Sequence, residues 1–121
     1  MSLAFTKRSD TYALEFFIEK NGQKVGFAFL VVIQNNKHKE PYGLLENVYV
    51  ELEHRGKGYG KSLVQAVMEK AKELGCYKLV ANSRYGKDHV HGWYTSIGMQ
   101  DWGKEFRIDL KNSPSLQESY G

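Results

Sequence analysis

The stretch from Leu44 to Gly75 constrains this chain more than any other. It opens as an apolar, β-branched and aromatic run, Leu44 to Leu52, the pattern of a strand. A glycine-rich turn follows, Arg55-Gly56-Lys57-Gly58-Tyr59-Gly60. From about Gly58 the pattern becomes that of an amphipathic helix, with Leu63, Val64, Val67, Met68, Ala71 and Leu74 on one stripe. Gly75 stands where a glycine just past the last turn stops a helix. Strand, glycine turn and helix N-terminus together form an anion-binding layout. Backbone N–H groups point at the ligand, and the helix dipole adds roughly half a positive charge.

Spacing separates three readings of the glycine turn. A Walker A loop requires G-x-x-x-x-G-K-[ST]. Gly60-Lys61-Ser62 supplies its end, but Arg55 stands where the opening glycine belongs. A dinucleotide fingerprint requires G-x-G-x-x-G. Gly56 and Gly58 fit, but Lys61 takes the third place. The spacing that fits is R-x-x-G-x-G, at Arg55, Gly58 and Gly60. Here the sequence resembles the GNAT superfamily of N-acetyltransferases, in which this turn binds the pyrophosphate of acetyl-CoA. The resemblance runs from about Leu44 to Met99. Val48-Tyr49-Val50 is similar to the family's bulged strand, and Gly75 to Val80 to the end of its long helix and the next strand. Trp93-Tyr94-Thr95-Ser96-Ile97-Gly98-Met99 resembles its aromatic-Tyr-x-x-x-Gly-Phe ending, with Met99 in place of Phe.

A chain of 121 residues is one domain by size, and 41% hydrophobic with 13% aromatic residues is enough for one core. The net charge of +3 suits an anionic ligand. The lysines are scattered, which argues against a nucleic-acid partner. The single cysteine, Cys76, leaves no internal disulfide. Nothing resembles a signal peptide, and no apolar run approaches the roughly 20 residues that span a membrane. The expectation is a cytoplasmic protein with no membrane association.

Along the chain, residues 1–10 carry little pattern and are expected to be flexible. Tyr12, Leu14, Phe16 and Ile18 alternate as a half-buried strand, and Asn21-Gly22 marks a two-residue hairpin. Val25 to Ile33 is the return strand and Gln34 to Pro41 a polar loop. After the strand and helix of the central stretch, Tyr77 to Asn82 is a fourth strand, parallel to the third by the crossover rule. Residues 83–87 form a loop, Asp88 caps a short helix through Ile97, and Trp102 to Leu110 is a last strand. Residues 112–121 are a polar, flexible tail. The fold class is α/β (α+β), a GNAT-like mixed, mostly antiparallel sheet with a central parallel pair, in the order β-β-β-α-β-α-β. One GNAT-like domain covers 1–121. The family normally begins with an extra strand and two helices, and only about 11 residues precede the first strand here. The expectation is a short member lacking them.

Acetyl transfer to an amine needs a held donor, a neutral amine, a stabilised oxyanion and a proton for the departing thiolate. The resemblance assigns acetyl-CoA binding to Val48, Tyr49 and Val50 and to Arg55, Gly56, Lys57, Gly58, Tyr59, Gly60 and Lys61. The alternative is an ordinary glycine-rich turn. It gives the oxyanion donor as the Val50 N–H, freed by a bulge; the alternative is a regular strand. It gives Tyr94 as general acid, against a core aromatic beside Trp93. Glu46 is the candidate base, acting through a water, against a solvated strand charge. Asn82 stands where some relatives have a catalytic glutamate and cannot be a base. Lys87 stands where the family often has a cofactor-contacting asparagine and could meet a CoA phosphate. His91 reads as acceptor contact or packing, and His54 and His89 as exposed. No residues have metal-ligand spacing, so no metal is expected.

The sequence therefore reads as an acetyl-CoA-dependent N-acetyltransferase, moving acetyl to a primary amine by direct transfer in a ternary complex. The shortened N-terminus predicts an open acceptor cleft. That cleft takes a small-molecule or protein amine, or is closed by a second copy in a homodimer or by the 112–121 tail. The alternatives are a non-catalytic acyl-CoA-binding module of the same fold and a nucleotide-phosphate binder using the near-Walker turn.

Overall fold

A computed structural model describes residues 1–83 and 86–111. The chain divides into two compact units, Met1–Ala81 and Asn82–Gly121. The first holds a four-stranded sheet in the order β1-β2-β3-β4 and one long helix.

Strands β1 (Tyr12–Lys20) and β2 (Gln23–Ile33) form an antiparallel hairpin. Its turn residues Asn21 and Gly22 have φ of 52° and 78°, the two positive values that a primed hairpin turn demands. Strand β3 (Tyr42–Val50) pairs antiparallel with β2. It ends at Val50 rather than Leu52, because Leu52–His54 wind into a 3-10 turn. Helix α1 (Tyr59–Glu73) then crosses to β4 (Leu79–Ala81), which runs parallel to β3 from Gly43↔Leu79 to Leu45↔Ala81. A strand–helix–strand connection within one sheet produces that orientation. Helix α1 stops at Gly75 as expected. The Cys76 N–H bonds the Ala71 carbonyl at 2.9 Å and the Gly75 N–H bonds the Lys72 carbonyl at 3.0 Å.

The core lies between α1 and one face of the sheet. Ala28, Leu30 and Val32 of β2 alternate onto that face, with Val25 and Leu45. Leu63, Val64, Val67 and Ala71 of α1 close over them, all buried. Met68 and Leu74 lie half-buried at the margin of the stripe. Each buried aliphatic side chain contributes about 1.5–3 kcal/mol over an exposed one. The β3 backbone approaches so closely that a Cβ on Gly43 would lie 3.0 Å from Leu30 Cδ1 and 3.1 Å from Leu79 Cδ1.

Strand β3 carries a bulge. Phe29 pairs with Glu46 and Phe27 with Tyr49, so Asn47 and Val48 both stand opposite Ala28. Asn47 takes φ 54°, a left-handed conformation in which Asn is enriched among non-glycine residues.

In the second unit, α2 spans Asp88–Ser96 and ends at Gly98. The expected Asp88 cap is corrected: Lys87 is the cap residue, no side chain among the described residues caps the helix, and Asp88 is its first residue. The expected last strand is also absent. Residues 101–109 have no regular structure, and Trp102, Phe106, Ile108 and Leu110 are 88%, 89%, 80% and 88% exposed. Alternating apolar residues make a strand only beside a partner that takes their N–H and C=O groups. Among the described residues the sheet ends at β4. Residues 1–10 form neither helix nor strand, and the 112–121 tail lies outside the described residues. No helix among the described residues is long and apolar enough to cross a membrane.

Candidate active site

The glycine turn joins β3 to α1 through a fixed set of contacts. Glu51 N–H bonds the Val25 carbonyl at 2.8 Å, holding the end of β3 in the sheet. Arg55, in an extended conformation, donates from Nε to the Val50 carbonyl at 2.8 Å, and its guanidinium carbon lies 5.5 Å from the Tyr49 ring centre. Gly58 enters the helix at φ 83° as its cap residue, and no side chain among the described residues caps α1. The Ser62 N–H bonds the Gly58 carbonyl at 3.0 Å as the helix begins. The N–H groups of the first turn, at Tyr59 and Gly60, precede any i−4 partner. No acidic residue stands in that turn, and among the described residues a Cβ on Gly56 or Gly58 would meet nothing within 4 Å. An uncapped, positively polarised helix end with open space before it is suited to phosphate. Lys57 and Lys61 flank it, both exposed.

The bulge sets the chemistry of β3. Since Glu51 and Val25 form a hydrogen-bonded pair, the neighbouring pair Val50 and Gly26 is a non-bonded one. Both polar groups of Val50 therefore point away from β2. The carbonyl meets Arg55 there. Strand β4 pairs with β3 only as far as Leu45, so it does not take the Val50 N–H. The Val50 side chain turns toward α1, within 4.0 Å of a Cβ placed on Gly60. Glu46 and Tyr49 lie on the opposite face, exposed, beside Phe29 and Phe27. Val48 is exposed at the bulge.

Thus Glu46, Val48, Tyr49, Val50 and Arg55 through Lys61 all belong to the first unit, on β3 and the turn after it. Tyr94 and Lys87 belong to the second. Tyr94 is half-buried on α2 with the Trp93 ring 5.7 Å away, and burial pushes its phenol above the ordinary value. It holds its proton at neutral pH. The Lys87 carbonyl accepts from Val90 and His91 N–H as α2 begins. His91 Nε2 lies 3.1 Å from Ser83 Oγ. Cys76 is half-buried, and burial pushes its thiol up, away from a reactive thiolate. Among the described residues no group of His, Cys, Asp and Glu could hold a metal.

Residues 3–99 match the acetyltransferase (GNAT) family. The chain belongs to that family. Among its GNAT relatives is an aminoglycoside N(6')-acetyltransferase type 1 of Stenotrophomonas maltophilia, 30% identical over 98 residues. A glucosamine 6-phosphate N-acetyltransferase of Trypanosoma brucei brucei is 27% identical over 105 residues. These matches take in 77% and 86% of this chain, and 64% and 69% of the relatives' own lengths. A solved putative acetyltransferase from Agrobacterium tumefaciens superposes with a TM-score of 0.73 at 30% identity, over 81% of this chain and 69% of that one. The GNAT fold of the sheet and helices follows from these likenesses.

Three features of this GNAT chain were not singled out from sequence. Asn47 carries the bulge; an asparagine interrupting an apolar strand was its only signal. Phe27 and Phe29 flank Glu46 and Tyr49 across the sheet, a placement that only strand register reveals. His54, expected exposed, is half-buried with its ring stacked 6.5 Å from Tyr59, and its buried Nδ1 has no hydrogen-bond partner among the described residues. The 3-10 turn folds it inward.

Proposed function

We propose that this chain is an acetyl-CoA-dependent N-acetyltransferase that moves acetyl to a primary amine by direct transfer in a ternary complex. The observation that carries the reading is the junction of β3 and α1. An uncapped helix N-terminus, entered through left-handed Gly58, follows, across one 3-10 turn and the glycine turn, a strand end whose Val50 N–H points away from its sheet partner.

In this reading the N–H groups from Arg55 to Lys61 hold the pyrophosphate, while Val48, Tyr49 and Val50 align the pantetheine and thioester. The amine nitrogen attacks the thioester carbonyl. The oxyanion that forms accepts the Val50 N–H. The amine proton passes through a water to Glu46. The C–S bond then breaks, and the thiolate takes the Tyr94 hydroxyl proton. Lys87 meets a CoA phosphate. The reading takes residues 1–121 as one domain, and the cytoplasm is the compartment where such a protein meets acetyl-CoA. The relatives named for aminoglycoside and glucosamine 6-phosphate acetylation support an amine borne on a small molecule.

The test is thermal stability with saturating acetyl-CoA, CoA or ATP, followed by thiol release with an amine panel. A ligand at a hundred times its Kd adds about 2.7 kcal/mol. The expected result is a shift with acetyl-CoA and CoA and none with ATP, then amine-dependent thiol release. A CoA shift with no turnover on any amine would identify an acyl-CoA-binding module. A shift with ATP alone would identify a nucleotide-phosphate binder.

A further inference from the structure

The face of the sheet opposite α1 carries two rungs of side chains in register. One is Glu15–Phe29–Glu46 and the next is Phe17–Phe27–Tyr49, each running across β1, β2 and β3. The rings touch: Phe27 meets Phe29 edge-on at 5.9 Å and lies 5.5 Å from Tyr49. Glu15, Phe17, Glu46 and Tyr49 are exposed, and Phe27 and Phe29 are half-buried. Strands lie about 4.8 Å apart, so a cation resting on Phe29 has a carboxylate one strand away on either side.

The chain's own cations report what this face attracts. The Lys24 ammonium lies 4.3 Å from the Phe17 ring centre and 3.4 Å from Glu15 Oε2. An ammonium is thus already seated between a ring and a carboxylate at the β1 end. At the β3 end the Arg55 guanidinium lies over Tyr49. Between them, among the described residues, the Glu46 carboxylate has neither a hydrogen-bond nor an ion-pair partner.

Resting on the acetyltransferase reading, we infer that Phe27, Phe29 and Glu46 form the acceptor floor, and that it takes a phosphate-free primary amine attached to a flat apolar ring. The ring stacks on Phe27 and Phe29, and the ammonium is held by Glu46. Glu46 lies just before the bulge, on the strand that carries Val50, so the held nitrogen is on the segment where acyl transfer is placed. A phosphorylated acceptor is disfavoured. It would face Glu15 and Glu46, while Lys24 is engaged by Glu15 and Arg55 by the Val50 carbonyl.

The experiment titrates the CoA-saturated protein with 2-phenylethylamine, n-butylamine and glucosamine 6-phosphate, following backbone amide NMR shifts. CoA binding is measured first and separately. The expected result is phenylethylamine binding at least about tenfold tighter than either other amine, with shifts centred on Phe27, Phe29 and Glu46. Glu46→Gln and Phe29→Ala weaken it about tenfold. The milder Phe29→Leu keeps the fold and still weakens it, raising KM for phenylethylamine acetylation with kcat retained. Equal or tighter binding of glucosamine 6-phosphate overturns the inference, as do shifts remote from these strands or no phenylethylamine binding. Each of those results with CoA still bound leaves the acetyltransferase reading standing. Absence of CoA binding overturns that reading itself.

Discussion

The Arg55 side chain closes the strand-to-helix turn by donating from Nε to the Val50 carbonyl, five residues back, at 2.8 Å. The same residue pair anchors the turn to the strand end whose N–H is proposed to meet the oxyanion. A lysine has the charge of arginine but no Nε on a planar fork. Arg55→Lys is therefore expected to behave like Arg55→Ala. Both should lose about 1 kcal/mol of stability and weaken acetyl-CoA binding about tenfold, read by calorimetric titration. Retention of wild-type affinity by Arg55→Lys would show that charge alone matters there.

Gly58 tests the turn by a different route. Its φ of 83° is unfavourable for any residue with a Cβ, while no described residue lies within 4 Å of that Cβ. Gly58→Ala should therefore cost about 1–2 kcal/mol through backbone strain and not through a clash. Holding that conformation is what positions the first-turn N–H groups, so acetyl-CoA affinity should fall along with the melting temperature. Gly58→Asn, which tolerates the left-handed region better, should recover part of both.

How much of this was legible in the sequence depended on the range of the interaction. The hairpin at Asn21-Gly22, the α1 stripe from Leu63 to Ala71 and the stop at Gly75 are local, and each was readable. The parallel pairing of β4 followed from its connection through α1. The strand expected from Trp102 to Leu110 was a misreading. Its alternation is real, but pairing depends on a neighbour that local pattern does not supply. The same limit hid the rungs that place Phe29 between Glu15 and Glu46, since these residues are far apart in the chain. The role proposed for Arg55 came from the family resemblance that its spacing to the glycines carries, but its bond back to Val50 required the 3-10 turn between them.

Asn47 separates the bulge from the residues around it. With φ at 54°, the position suits Asn or Gly and penalises a β-branched residue. Asn47→Gly should keep the fold and the turnover. Asn47→Val should either lose about 1–2 kcal/mol or push the strand toward regular pairing. In the second case Val50 would shift by one place in the ladder, and its N–H would turn back toward β2. The expected signature is a large fall in kcat together with the roughly tenfold loss of acetyl-CoA affinity that follows when Arg55 loses the Val50 carbonyl. Hydrogen exchange at the Val50 amide supplies an independent check, since a newly paired N–H becomes protected.

Tyr94 makes a prediction about pH. Burial raises its phenol above the ordinary value near 10, so the folded state holds the proton more tightly than the unfolded chain does. Below about pH 10 the phenol is protonated in both states, and the Tyr94 contribution to stability does not vary. As pH rises past that point the unfolded chain ionises first, and stability declines until the folded phenol ionises as well. As the proposed acid, Tyr94 should keep donating through the neutral range, and the alkaline fall in kcat should begin only above about pH 10. Tyr94→Phe should lower kcat by about 10²–10⁴-fold and remove that alkaline limb, with acetyl-CoA affinity retained. A Tyr94→Phe variant with wild-type kcat and an unchanged alkaline limb would assign Tyr94 to packing beside Trp93, and the thiolate would then take its proton from water.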